Sequence, residues 1–179
     1  FTPSVEAGKS DVEVTATSND GTEVFGSVSI RVLEAIDPSK PMIAITYDDG
    51  PHKTNTPKLL DVLEENYAVA TFFMVGKNVE GKEDIIRRSY ALGNELASHT
   101  WNHEDLKKLS ESEIKKVLED TDLAIKAVVN VDNIILRPPF GSFNDKVKAA
   151  VGKPIIMWSV DTEDWRTRSA DTTYDVCMS

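Results

Sequence analysis

From residue 42 onward, short apolar runs alternate with segments of helical period, and this alternation restricts the fold more than any other feature of the chain. The runs are MIAITY at 42–47, VATFFMV at 69–75, NELAS at 94–98, NIIL at 133–136 and PIIMWSV at 154–160. Helix signals stand between them. In NTPKLLDVLEEN, Pro57 lies near a helix start and Leu59, Leu60 and Leu63 share one face. The segment KEDIIRRSYAL runs up to Gly93, a residue suited to end a helix. Ser110 and Glu113 form a capping box for a long helix reaching about Val129, with Ile114, Val117, Leu118, Ile125 and Val128 as its apolar stripe. A further short helix follows Asn144. Strand and helix in repeated succession predict an α/β fold on a parallel sheet, and the continuous first run suits a strand covered on both faces.

The segment before residue 42 follows a different period. DVEVTATSNDGTEVFGSVSIRV places Val12, Val14 and Ala16, then Val24, then Val28, Ile30 and Val32 at alternating positions, broken by Asn19-Asp20-Gly21 as a hairpin turn would break them. Residues 1–33 are therefore expected to form two or three antiparallel strands. They resemble the end of a bacterial immunoglobulin-like module, and so few strands are expected to lean on the neighbouring domain or another chain. EAIDPSKP at 34–41, with its charges and two prolines, reads as a linker, leaving 42–179 as the main domain. The abrupt start at Phe1-Thr2-Pro3 and the end at Cys177-Met178-Ser179, inside a helical pattern, suggest a fragment.

Composition narrows the partners. A 40% hydrophobic content is enough for a sizeable core, and a formal net charge of −10 argues against binding nucleic acid through non-specific phosphate attraction. No apolar run approaches the roughly 20 residues of a membrane helix. The lone Cys177 excludes an internal disulfide and is expected to be a packing residue.

In parallel α/β folds, ligands bind at the carboxyl ends of the strands. Asp48 and Asp49 follow the first run, His99 the third, Arg137 the fourth and Asp161 the fifth, so these side chains are expected on one rim. In SHTWNH, His99 and His103 are four apart, and one helical turn would present both imidazoles to a shared cation, with a carboxylate completing the set. Asp48-Asp49-Gly50-Pro51 is also good turn chemistry, which accounts for one aspartate but not for two facing a histidine pair. Adjacent carboxylates can divide the work, one holding a cation and the other accepting a proton from the water it activates. RPPFG at 137–141 reads either as a stiff exposed loop or as a device that presents Arg137 to a carboxylate and a backbone N–H to an oxyanion. DTEDW offers Asp161 as that carboxylate and Trp165 as a wall for a sugar ring. Trp101 and Trp158 are expected in or just behind the core, and His52 in a solvated loop.

TYDDGP, SHTWNH, RPPFG and DTEDW, in this order, resemble the first four motifs of the polysaccharide deacetylases of carbohydrate esterase family four, over about residues 41–179. The resemblance implies a distorted (β/α) barrel and a metal-dependent hydrolase removing N-acetyl or O-acetyl groups from a polysaccharide such as peptidoglycan, chitin or xylan. By the same resemblance Asp49, His99 and His103 bind a divalent metal, usually zinc and sometimes cobalt or nickel, and Asp48 is the general base. Arg137, paired with Asp161, positions Asp48; the Phe140 N–H holds the oxyanion; Pro138, Phe140 and Trp165 line the sugar groove; Thr100 braces the loop between the histidines. A glycan substrate implies an extracellular or wall-associated protein. The family's late Leu-x-His, whose histidine serves as general acid, has no counterpart, because no histidine follows His103. Five strands cannot close the usual barrel, so a closing strand is expected from a missing C-terminal segment or another chain. A groove that binds glycan without turning it over is the alternative.

Overall fold

A computed structural model describes residues 10–17, 25–32, 39–40 and 42–179. Strands β1 (Ser10–Thr17) and β2 (Phe25–Val32) pair antiparallel along their whole length, Ser10 opposite Val32 and Thr17 opposite Phe25. These are the strands that the period-two pattern anticipates. The Asn19-Asp20-Gly21 turn lies outside the described residues, as does the expected linker apart from Ser39 and Lys40.

The main sheet is parallel and ordered β3 (Thr46–Gly50), β4 (Thr71–Met74), β5 (Glu95–Ser98). The crossovers carry α1 (Asn55–Glu65) and α2 (Glu83–Ala91), and α2 stops where Gly93 takes a φ of +85°. α3 (Glu111–Lys126) starts on the expected capping box: the Ser110 hydroxyl accepts from Glu113 N–H while the Glu113 carboxylate accepts from Ser110 N–H. Its apolar stripe holds two groups of buried side chains together. One comprises Leu60, Leu63, Phe72, Met74, Ile86, Leu96 and Ile125; the other includes Leu106, Ile114, Leu118, Leu136 and Val147 of the short helix α4 (Asp145–Val151). Full burial of each such side chain contributes about 1.5–3 kcal/mol. Two further helices follow, α5 (Asp164–Thr167) and α6 (Ala170–Met178).

Three strand expectations need correcting. The first strand begins at Thr46 rather than at Met42, and Ile43 is 87% exposed. Its partner β4 starts at Thr71, opposite Thr46, so the residues before Ile45 have no strand to pair with. The fourth and fifth strands each contract to a single parallel bridge, Ser98 with Leu136 and Leu136 with Ile155. Prolines set that limit: Pro138 and Pro139 follow Arg137, and Pro154 precedes Ile155, so the ladder lacks the N–H groups it needs to extend. Among the described residues the result is an α/β fold with a three-stranded parallel sheet and two bridges, with no closed barrel.

Candidate functional site

The polar residues lie on the sheet face turned away from the helices. Tyr47 and Phe72 face the helical cluster, their rings 5.5 Å apart, so strand alternation sends Thr46, Asp48 and Phe73 the other way. Arg137, one residue beyond the Leu136 bridge, covers that face and is only 3% exposed. Its guanidinium donates to Thr46 Oγ1 and Asp48 Oδ1, each at 2.8 Å, and to the carbonyls of Ile156 at 3.3 Å and Met157 at 3.0 Å. It also stacks 4.1 Å above the Phe73 ring and lies 5.7 Å from the Trp158 ring. A buried cation is tolerable only when paired and hydrogen-bonded, and these contacts supply both conditions while tying the first strand to the fifth run.

Asp49 breaks the alternation. The register slips between Asp48 and Gly50, and Asp49 takes a φ of 67°. An ideal strand would point neighbouring side chains to opposite faces; this bulge brings both carboxylates to His99, with Asp48 Oδ2 at 3.9 Å and Asp49 Oδ1 at 3.6 Å from Nε2. Asp49 Oδ1 is also 3.4 Å from His103 Nε2. Residues 99–103 form a turn and not the expected helical turn, with Thr100 at φ 65° and His103 at φ 59°. The rings nevertheless converge, centroids 5.1 Å apart. Thr100 braces the turn, its hydroxyl accepting from Glu104 N–H at 3.1 Å. Asp49, Thr100, His103 and Phe140 are four of the seven non-glycine residues with positive φ among those described. Such conformations cost about 1–3 kcal/mol each and persist where the surroundings over-determine them.

His99 has a defined tautomer. Its Nδ1 lies 2.6 Å from the Arg137 carbonyl, which can only accept, so the proton sits on Nδ1 and Nε2 presents a lone pair. Burial pushes this imidazole below its ordinary pKa, against the raising pull of the Asp48 and Asp49 carboxylates and the Arg137 carbonyl. A neutral Nε2 facing two carboxylates is lone pair against lone pair, an arrangement that a cation resolves. Ligand atoms on a tetrahedral ion with bonds of about 2.0–2.1 Å lie about 3.3–3.4 Å apart. The pairs found here, 3.4 and 3.6 Å, and the 4.8 Å limit within which all three ligand atoms fall, suit that donor set.

The loop carrying RPPFG ends in a 3₁₀ turn, Pro139–Gly141, whose hydrogen bonds come from Gly141 and Ser142 N–H to the Pro138 and Pro139 carbonyls. The N–H of Phe140 precedes these bonds, as the first donors of any helical turn do. The Phe140 ring meets His103 edge-on at 4.5 Å and is otherwise 69% exposed. Ser142 fastens the loop by donating to Asp105 Oδ1 at 2.6 Å, and that hydroxyl holds the Asp105 carboxyl below its usual range.

Other expected residues lie differently. Asp161 does not pair with Arg137: its Oδ1 accepts from Glu163 N–H at 2.9 Å, and Arg137 takes Asp48 instead. Pro138 is buried beneath the loop, whereas Trp165 stands outward on α5. His52 lies in an exposed loop, as expected, and its Nδ1 there accepts from Thr54 and Asn55 N–H, both at 3.1 Å, at the start of α1. Cys177 is exposed and not packed. Trp101 and Trp158 are each just over a third exposed, less buried than expected. Thr46 and Phe73, which position Arg137, went unrecognised in the sequence; Thr46 is two residues before Asp48 on the same strand face, and that spacing was the available signal.

Comparison with known proteins adds to this geometry. The family profile described as "Polysaccharide deacetylase" matches residues 35–154. A peptidoglycan-N-acetylmuramic acid deacetylase of Bacillus subtilis is 34% identical over 152 residues, covering 85% of this chain and 32% of that protein. Its solved structure superimposes with a TM-score of 0.77 at 35% identity, over 80% of this chain and 71% of that one. A peptidoglycan-N-acetylglucosamine deacetylase of Listeria monocytogenes is 39% identical over 128 residues, covering 72% of this chain and 28% of that protein. A structure described as a CE4 family pseudoenzyme from Bacillus anthracis matches with a TM-score of 0.72 at 30% identity, over 79% of this chain and 52% of that one. The chain thus spans about a third of the length of these two curated relatives.

Proposed function

Because the chain belongs to the polysaccharide deacetylase family, we propose that it removes acetyl groups, N-linked or O-linked, from a polysaccharide of the peptidoglycan or chitin type outside the cell or in its wall. In this reading residues 42–179 are the catalytic domain, their sheet is part of the distorted barrel of the family, and residues 1–33 are a separate β segment. Asp49, His99 and His103 hold a divalent ion, with zinc the first choice for two imidazoles and a carboxylate and cobalt or nickel as substitutes. The observation that carries the reading is the fixed tautomer of His99, whose unprotonated Nε2 is turned toward Asp49 Oδ1.

A bound ion of this class supplies Lewis acidity, polarising a carbonyl and making water acidic enough to attack near neutral pH. The remaining steps fall to side chains of the chain itself. Arg137 grips Asp48 through Oδ1 and leaves Oδ2 3.9 Å from His99 Nε2, where it can take the proton of the attacking water. The Phe140 N–H, at the head of its turn, donates to the oxyanion that forms from the acetyl carbonyl. The exposed Phe140 and Trp165 rings offer apolar faces to pyranose rings, and Pro138 supports the loop from below.

A second reading, glycan binding without turnover, is raised by one observation: a CE4 family pseudoenzyme is among the structures this chain matches, at 30% identity. Acetate release separates the two. The protein incubated with zinc and with chitooligosaccharide, peptidoglycan fragments or acetylated xylan should liberate acetate from at least one, and Asp49→Ala or His103→Ala should abolish both zinc uptake and release. An Asp49→Ala protein that is metal-free and still active would overturn the assignment.

A further inference from the structure

The 3₁₀ turn Gly76–Asn78, immediately after β4, contacts both segments that carry the proposed ligands. Toward the first, Val75 N–H donates to the Gly50 carbonyl and the Asn78 Nδ2 donates to the Asp49 carbonyl, both at 2.9 Å. Toward the second, Gly76 N–H donates to the Thr100 carbonyl and Lys77 N–H to the Trp101 carbonyl, both at 2.9 Å, and the Lys77 ammonium donates to the Asn102 side chain. Gly76 is there by necessity: a Cβ would come within 2.6 Å of Trp101 Cε3 and 2.9 Å of Thr121 Oγ1. The turn is thus wedged against the residue midway between the two histidines.

We propose that Asn78 is a positioning residue for the metal centre, and that the turn carrying it sets the distance between Asp49 and the His99–His103 pair. The inference rests on the reading of those three residues as ligands. Asp49 sits on a bulge in a left-handed conformation, and its carbonyl has left the regular ladder. An amide donor from a neighbouring strand end fixes that carbonyl, and with it the direction in which the carboxylate leaves the backbone. Residues hydrogen-bonded to metal ligands typically change affinity by about 10- to 100-fold when removed. The Asn78 contact acts one step further back, on the ligand's main chain, and is the side-chain bond to the Asp49 carbonyl itself, next to the Val75 N–H bond that holds the Gly50 carbonyl.

The test uses the whole chain. Zinc affinity is measured by chelator competition for the wild type, Asn78→Ala and Asn78→Asp, with Asp49→Ala as the ligand-deleted reference. Asn78→Asp keeps the shape but replaces the donor by a charged acceptor facing the Asp49 carbonyl. Asn66→Asp serves as the control, since Asn66 Nδ2 makes the same type of bond, to the Val62 carbonyl at 2.8 Å, at the end of α1. Both Asn78 variants should bind zinc about 10- to 100-fold more weakly while Asn66→Asp binds as the wild type does. In the cobalt-loaded protein the visible absorption bands, which report ligand geometry, should shift in Asn78→Asp. Wild-type affinity and an unshifted spectrum in Asn78→Asp overturn the inference while leaving the ligand assignment standing. Zinc uptake by Asp49→Ala equal to the wild type overturns the ligand assignment, and this inference with it.

Discussion

Asp48 and Asp49 are neighbours of the same chemistry, and the chain gives them opposite surroundings. One is held by a buried guanidinium through a single oxygen; the other is 68% exposed at the side chain, on a bulge, facing two imidazoles. That difference predicts separable phenotypes. Asp48→Asn keeps the shape and the Arg137 contact, so zinc uptake should persist while kcat falls about 10²- to 10⁴-fold, the usual contribution of a general base. Titration calorimetry and acetate release measure the two effects. His99 adds a pH signature. Its folded pKa is depressed, chiefly by burial, so the unfolded chain binds the extra proton first and stability falls as pH drops below the ordinary imidazole value of 6.5. Above that value His99 adds no pH slope. Thermal denaturation of the chelated protein between pH 8 and pH 5 should show the loss, about neutral to acid, and His99→Gln should flatten it. Much of this arrangement was legible in the sequence, since residue types at strand ends carry chemistry: Asp48, Asp49, His99, His103 and Arg137 all meet. The partner of Arg137 was not. Asp48 and Asp161 are equally good carboxylates on paper, and only the sheet register places Asp48 Oδ1 within 2.8 Å of the guanidinium.

Elements were legible where a local rule governs them and illegible where a distant partner does. The capping box of α3, the glycine after α2 and the Asn144 cap of α4 follow from residues within one turn. Strand limits depend on the neighbour: β3 begins where β4 allows, and the last two runs shorten because proline withholds donors. The start of α1 shows a third case. Its N-cap position, Thr54, makes no side-chain cap, and the His52 ring fills that role through Nδ1, while His52 N–H donates to Thr56 Oγ1 at 2.8 Å. His52 itself is in the exposed loop expected for it, and what the sequence did not reveal is that its ring caps the helix that follows. Replacing a cap by alanine costs about 0.5–2 kcal/mol, so His52→Ala should lower the urea midpoint accordingly, and His52→Asn, which restores a short acceptor, should recover most of the loss. Because α1 follows directly on the Asp49 bulge, zinc affinity read alongside the urea midpoint tells whether the cap also steadies the ligand.

For the molecule as a whole, the sheet has one face closed by helices and one face organised around Arg137, and its far side carries Ile156, Trp158 and Val160 each more than a third exposed. The parallel α/β class could be read from the strand–helix alternation alone. The number of regular strands could not, because two of the five runs contribute a single bridging residue each, Leu136 and Ile155. The proposed ligands come from places far apart along the chain, Asp49 at the end of β3 and His99 after β5, drawn together at one turn. Metal removal should therefore act on the fold as well as on activity: titrating a chelator into the zinc-loaded protein should lower its melting temperature, by an amount that grows with free zinc over Kd and reaches about 4 kcal/mol of stability at a thousandfold excess. Asp49→Ala should be insensitive to the same titration. The spacing gives this effect a particular meaning. An ion held at residues 49 and 99 closes a loop of about 50 residues, and a covalent link around such a loop would be worth about 4 kcal/mol. These 179 residues hold one cysteine and so no internal disulfide, and under the proposed function a metal held by the bulged aspartate and the two histidines would be a reversible staple, locking or loosening the sheet according to the zinc around it.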